Sequence, residues 1–324
     1  MRANGAASAV FLAGGTGVIG RRLIPLLRAA GHRIVAMTRR PERMASLQAL
    51  GAEAAVCDVF DRGQLETVVR AAGAEIVVHQ LTSLPPRIDP RRVDRDLAAT
   101  NRLRVEGTRN LVAAAEAAGA KRFIAQSVAF AHRPDGSTSK TEEDPLFLDS
   151  PPRYRPLVEA IDSLERQVAA AALESVVLRY GYFYGPGTIY APGGSFYEDV
   201  KRRRMPVVGG GTGIFSFVHL DDAASATVAA LTGPPGLYQI VDDDPAPVHE
   251  WLPYYAEVIG APPPRRVPVW LTRLAVGSFG VTMMLEQRGA SNRRAREVLG
   301  WEPAFASWRR GFRDLAAQAA CENG

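Results

Sequence analysis

Cysteine is scarce in this chain: 324 residues contain two, Cys57 and Cys321. That is too few for a disulfide scaffold or a cysteine-rich metal site, and it fits a reducing compartment, so a cytoplasmic protein is expected. Lysine is almost as rare, with only Lys121, Lys140 and Lys201. The basic balance is mild, 39 Lys and Arg against 34 Asp and Glu. The Arg-Arg pairs at 21–22, 39–40, 91–92 and 293–294 are dispersed rather than gathered around aromatics, which argues against a nucleic-acid partner. No apolar run reaches the roughly 18 residues that a bilayer span needs. The N-terminal segment has one arginine and a short apolar run before it breaks into glycines, unlike a secretory signal. Fibre, membrane protein and secreted mini-domain are excluded, and no membrane partner is expected.

What the sequence does have is alternation. Short apolar runs at 9–13, 33–38, 54–57, 75–79 and 122–126 are separated by helical patterns, the longest from about Asp94 to Ala118. That order predicts βαβ units and an α/β Rossmann fold, a doubly wound parallel sheet. Pro25 predicts a kink in the first helix. From Ser150 onward Pro and Gly cluster, with further strands expected at 175–179 and 237–241. The expected division is a nucleotide-binding domain over 1–180 and a smaller, interleaved substrate region over 181–324, with strands around 214–243 joining the sheet.

The sharpest local signal is Gly14-Gly15-Thr16-Gly17-Val18-Ile19-Gly20, directly after a strand and opening a helix. Glycine there permits a tight turn, close approach of a pyrophosphate and close helix–sheet packing, and the helix N-terminus supplies N–H groups and a positive dipole end. A nicotinamide dinucleotide is the expected cofactor. About 20 residues further on, where NAD-binding proteins place an acid on the ribose, stand Thr38, Arg39 and Arg40. Guanidinium groups suit a 2′-phosphate, so NADP(H) is expected rather than NAD(H), although two solvated arginines would read the same. Asp58 ends the third strand, either near an adenine or as an ordinary turn residue.

These motifs, with Gly107-Thr108-Arg109-Asn110-Leu111 after Asn101, LRYGYFYGPG at 178–187, FSFVHLDDAASA at 215–226 and LGWEPAFASWRRGF at 299–312, resemble the extended and atypical short-chain dehydrogenase/reductases, the NAD-dependent epimerase/dehydratase family. The resemblance covers nearly the whole chain. It implies a Rossmann domain with a C-terminal region over the substrate. It also implies cofactor contacts from Gly14, Thr16, Gly17, Val18, Ile19, Gly20, Asp58, Val59, Gln80, Leu81, Thr82, Asn101, Gln126, Tyr180, Tyr182 and Phe183. The His219-Asp221-Asp222 motif is structural in that family, so no metal is expected.

The chain departs from the family at the catalytic positions. A Ser or Thr is usual after the fifth strand, with a Tyr four residues before a Lys on the next helix. Here the alignment puts Val128, Leu157 and Ile161 at those places. Ser127 falls one residue early, Tyr154 is followed four residues on by Val158, and the spacing of Tyr197 and Lys201 reads as chance. Remaining candidates for the proton-handling group are Tyr182, His132 and Ser127. Together these readings imply an NADPH-dependent oxidoreductase, a ketoreductase acting on a small-molecule carbonyl without the standard triad, as a monomer or homodimer. A non-catalytic NADP-binding sensor and a nucleotide-sugar epimerase or dehydratase are the alternatives.

Overall fold

The computed structural model describes residues 7–322. Its centre is a parallel sheet of seven strands: β1 (Ala9–Ala13), β2 (Arg33–Thr38), β3 (Glu53–Val56), β4 (Ile76–His79), β5 (Arg122–Val128), β6 (Glu174–Tyr180) and β7 (Gly236–Ile240). They lie in the order β7-β6-β5-β4-β1-β2-β3. The order of strand addition reverses between β1 and β4, which run parallel, and this is the switch point where an open α/β sheet leaves a crevice at its carboxyl edge.

Both faces of the sheet are covered, so the strands read as nearly continuous apolar runs. In β1, Val10 and Leu12 face the layer made by α1 (Gly20–Ala29) and the later helix Leu220–Ala229. Phe11 and Ala13 face the opposite layer. That second layer holds Leu65 and Val69 of α2 (Arg62–Ala71), Leu111 and Ala115 of α3 (Thr108–Ala117), and Leu164 and Val168 of α4 (Arg155–Ala169). The helix over 220–229 becomes α5, and the C-terminal half adds α6 (Val248–Val258), α7 (Val269–Leu285) and α8 (Trp308–Glu322). These pack around an aromatic cluster that includes Tyr184, Phe217, Trp251, Trp308 and Phe312.

The strands fall within a residue or two of their expected positions, but two helical expectations need correction. Pro25 does not interrupt α1, which runs through it as one element with the proline on the exposed side. The long helix expected from Asp94 to Ala118 is broken into Val93–Asp96, Ala98–Arg102, a π-helical turn Leu103–Gly107, and α3. A π turn inserts one residue into the helical repeat and shifts its phase, and here Leu103, Arg104 and Gly107 are all buried. Among the strands around 214–243, only β7 joins the sheet. Phe217–His219 pairs in parallel with Tyr182–Tyr184 instead.

Arg179 on β6 makes a buried bidentate pair with Glu165 of α4, at 2.8 and 2.7 Å, and Ser127 of β5 donates to the same carboxylate at 2.7 Å. Removing one partner strands a charge in the interior, whereas replacing both by apolar groups removes the problem. Arg179→Leu should therefore destabilise the fold by about 3–5 kcal/mol, and the Arg179→Leu, Glu165→Leu pair should recover most of it. Urea unfolding of the three proteins measures both terms.

Candidate active site

The carboxyl ends of β1 and β4 are flush, with Ala13 opposite His79. The Gln80 N–H donates to the Ala13 carbonyl at 2.8 Å, bringing the segment after β4 against the turn after β1. Gly14 sits at φ +104°, and a Cβ there would lie 2.5 Å from the Gln80 carbonyl oxygen. Gly20 is equally constrained, since its Cβ would lie 2.4 Å from the Gly14 oxygen. Gly17 differs: it is exposed, and its Cβ would meet only the Gly14 oxygen, at 3.2 Å. Two glycines thus build the turn, and the third leaves space above it. The N-terminus of α1 beneath that space has no acidic residue in its first turn and no side-chain cap. Such an end suits an anion, so the residues present fit a dinucleotide pyrophosphate.

Thr16 is half-buried and Val18 is exposed beside this space. Ile19 is in the core. Arg22 spans three segments: its guanidinium pairs with Asp221 of α5 at 2.7 Å and donates to the Val18 carbonyl at 3.1 Å and the Pro186 carbonyl at 3.3 Å. Arg39 and Arg40 are exposed at the end of β2, and among the described residues neither guanidinium has a hydrogen-bond or ion-pair partner. Asp58 accepts from the Phe60 N–H at 3.0 Å, the bond of a turn residue, and stays half-buried. The side chain of Val59 is sealed, and its carbonyl takes the Asn110 amide at 2.9 Å. Asn110 lies in the Gly107–Leu111 motif, and this bond is what ties α3 to the turn after β3.

Several expected contact residues prove to be framework. Gln80 turns its amide into the sheet, donating to the Tyr180 hydroxyl at 3.3 Å, with its Oε1 buried. Tyr180 is fully buried, shares a 2.7 Å hydrogen bond with Thr227 and has its pKa pushed up to about 12 by burial. Leu81 is half-buried and packs against the second core layer, while Thr82 is exposed. Asn101 and Gln126 are half-buried, as is Phe183, which packs on Tyr180. His79 is buried; its Nδ1 accepts the Leu81 N–H and its Nε2 donates to Thr108 at 3.1 Å, and burial holds its pKa down to about 4.

The three proton-handling candidates are each committed elsewhere. The Ser127 hydroxyl is bound to Glu165. His132 is buried in the loop after β5, with Nδ1 on the Asp144 carbonyl at 3.2 Å and Nε2 sealed without a partner, so neither nitrogen reaches a ligand. Tyr182 is the middle ring of a stack, 4.4 Å from Phe130 and 4.5 Å from Phe215, and its hydroxyl donates to Gln287 at 2.7 Å. Burial raises its pKa well above that of an ordinary tyrosine, a poor setting for proton release. Val128, Leu157 and Ile161 share one apolar cluster with Tyr154, whose hydroxyl donates to the Phe130 carbonyl at 2.9 Å. Lys121 pairs with Glu75, Lys140 with Asp144, and Lys201 donates to the Ile259 and Gly260 carbonyls at the end of α6. His219 and Asp222 are also structural: His219 Nδ1 accepts the Asp221 N–H, and Asp222 accepts from Ala304 and Phe305.

With this arrangement in view, comparison with known proteins is informative. The model of the NAD dependent epimerase/dehydratase family matches residues 10–240. The chain belongs to that family. A 3-diazoavenalumate denitrifying reductase from a Streptomyces species is 45% identical over 94% of this chain and 98% of its own length. A 4-hydroxy-2-methyl-3-oxo-4-farnesyl-3,4-dihydroquinoline-1-oxide ketoreductase from Stigmatella aurantiaca is 26% identical over 77% of this chain and 73% of its own. Among solved structures, the UDP-glucose 4-epimerase of Thermotoga maritima superposes with a TM-score of 0.76 at 20% identity, covering 97% of this chain and 99% of that one. That likeness is one of fold. WbmG of Bordetella bronchiseptica, solved with NAD, gives 0.74 at 20% identity over 98% and 96% of the two chains.

Arg104 was missed by sequence reasoning. It is buried in the π-helical turn, and its neighbours three and four positions away, Thr100, Asn101, Gly107 and Thr108, form no apolar stripe that would have announced its burial.

Two outcomes follow from this geometry. Gly17→Val should leave the folded protein intact but abolish dinucleotide binding, while Gly20→Val should unfold it; circular dichroism and cofactor titration separate the two. His79 and His132 are held neutral, so protonation favours the unfolded chain, whose imidazoles titrate near 6.5. Their contribution is complete above about pH 6.5 and is lost as pH falls toward about 4, at about 1.4 kcal/mol per pH unit per histidine. His132→Leu should remove one proton's worth of that slope in denaturant unfolding at pH 7, 6 and 5.

Proposed function

We propose that this protein is an NADPH-dependent reductase that works without a Ser-Tyr-Lys triad. The observation that carries the reading is the contrast between two halves of one crevice. Its dinucleotide side keeps an open glycine, an uncapped helix end and two unpaired arginines. Its catalytic side offers only apolar or hydrogen-bonded groups where a proton donor would stand.

The glycine turn and α1 would hold the pyrophosphate, and Arg39 and Arg40 a 2′-phosphate. Leu81 and Thr82 would line the ribose side, and Phe183 and Gln126 the far end. When bound, the reduced nicotinamide supplies the hydride. The residues around it orient the acceptor and exclude water, and orientation alone lowers a barrier substantially, by as much as about 7–11 kcal/mol.

A site of this kind suits an acceptor that needs no acid. Hydride added to the terminal nitrogen of an aryl diazonium ion gives Ar–N=N–H. Loss of N₂ with transfer of that hydrogen to the ring leaves Ar–H, and no oxyanion develops at any stage. The Streptomyces relative, by its name a denitrifying reductase of a diazo compound, supports this acceptor class first. A carbonyl on an activated aromatic framework, protonated from water, is the second reading, supported by the Stigmatella ketoreductase. Either acceptor is a small molecule, in keeping with a cytoplasmic enzyme.

NADPH oxidation should be followed against an aryl diazonium salt, a panel of quinones and aromatic ketones, and UDP-glucose. Turnover with the diazonium salt or a carbonyl supports the reading; tight NADPH binding with no oxidation favours the sensor, and conversion of UDP-glucose the epimerase. Arg39→Ala with Arg40→Ala should weaken NADPH binding by about 10–100-fold and leave NADH binding unchanged. Equal wild-type affinity for the two cofactors would end the NADP assignment.

A further inference from the structure

Arg104 is a buried cation with no anion. The residue is 8% exposed, and among the described residues its guanidinium makes a single hydrogen bond, 3.3 Å, to the neutral Asn101 amide one turn earlier and has no carboxylate partner. The titratable groups on which its charge acts are Tyr154 and His79, both neutral. Burial brings its pKa down to about 10, which leaves it charged at neutral pH. An uncompensated interior charge is costly and is normally eliminated or paired, so the arrangement needs a reason.

Its place in the fold supplies one. Arg104 lies in the π-helical turn Leu103–Gly107, the segment whose next residue, Thr108, holds His79 at the carboxyl end of β4. Its other neighbour, Tyr154, is fixed to the Phe130 carbonyl just past the end of β5. Arg104 therefore stands at the crevice edge between β4 and β5. Several side-chain atoms are sealed without a partner, but none of them belongs to Arg104. Its unbonded N–H groups are therefore not wholly sealed, although the residue as a whole is buried. Tyr154 belongs to an apolar cluster with Leu97, Val128 and Leu157, and the half-buried rings of Phe130 and Phe279 pack against that cluster. Phe279 comes from α7 and packs on Tyr154 at a centroid distance of 5.2 Å.

We propose that Arg104 is a substrate-recognition residue that takes the carboxylate of a planar aromatic acceptor, the acceptor's ring lying against Phe130, Tyr154 and Phe279. The anion supplies the missing counter-charge, and a guanidinium can grip it with two parallel hydrogen bonds. The inference rests on the reductase reading only in calling the ligand an acceptor; the carboxylate site itself is independent of any turnover.

Binding of cinnamate and of its neutral isostere cinnamamide to the full-length protein, saturated with NADP⁺, provides the test by calorimetry. Wild type should prefer cinnamate by about 10-fold or more, the scale of a charge-assisted contact. Arg104→Met should reduce that preference to within about 2-fold, and Arg104→Lys should keep part of it. NADPH affinity should be unchanged in both variants, and Arg104→Met should melt at or above the wild-type temperature, because it removes an unpaired buried charge. Absence of any preference in wild type, including failure of both probes to bind, overturns the proposal. So does a preference that survives Arg104→Met, or a loss of NADPH affinity in its place. Should Arg104→Met fail to fold, Arg104→Gln carries the same comparison. A retained carboxylate preference without NADPH oxidation on any acceptor would count against the reductase and leave Arg104 standing; turnover of neutral acceptors with no carboxylate preference would do the reverse.

Discussion

The crevice depends on one backbone contact, the approach of the Gly14 turn to Gln80. Because Ala13 and His79 end in register and the Gln80 N–H continues the ladder, the turn after β1 must pass within van der Waals range of the segment after β4. A Cβ on Gly14 would sit 2.5 Å from the Gln80 oxygen, so the residue type is dictated by the sheet before any ligand is considered. Beside this contact the Gln80 side chain donates to the buried hydroxyl of Tyr180, which is also bonded to Thr227. Gly20 follows from the same geometry, since α1 has to start against the Gly14 carbonyl. Only Gly17 is left facing open space.

That division shows what could be read from the sequence. The strand runs, the glycine spacing and the paired arginines after β2 are local patterns: the runs form the sheet, the glycines form the turn after β1, and the arginines are exposed at the end of β2. Which of the nearby polar groups are free depends on distant partners, and that was not legible. Ser127 loses its hydroxyl to Glu165, 38 positions away. His132 is folded into its own loop against Asp144, and the Tyr182 hydroxyl is taken by Gln287, 105 positions on. Nothing in the spacing around those residues announces a partner that the tertiary fold alone provides. The broken helix before α3 escaped for a different reason: its apolar periodicity is continuous enough to read as one helix, while a single inserted residue in the π turn changes which side chains point inward.

The catalytic side is consequently a place of removed options. Apolar side chains fill the three positions from which the family usually moves protons, and all three lysines are engaged elsewhere. On the reading proposed above, such a site would select its ligand by fit and charge and leave the proton inventory to the ligand and the solvent.

Arg22 has a consequence of another kind. The guanidinium touches the Val18 carbonyl in the cofactor turn, the Pro186 carbonyl beyond β6 and the Asp221 carboxylate on α5. Asp221 is 60% exposed, so the pair adds little to stability; what matters is where the three segments are measured from. The loop over the dinucleotide and the chain entering the C-terminal half share a common datum. If the rate rests on holding two molecules at the right separation, as proposed, errors of placement that would add if each half were positioned separately are here referred to a single side chain, much as two scales ruled from one zero mark stay aligned when the bench beneath them shifts.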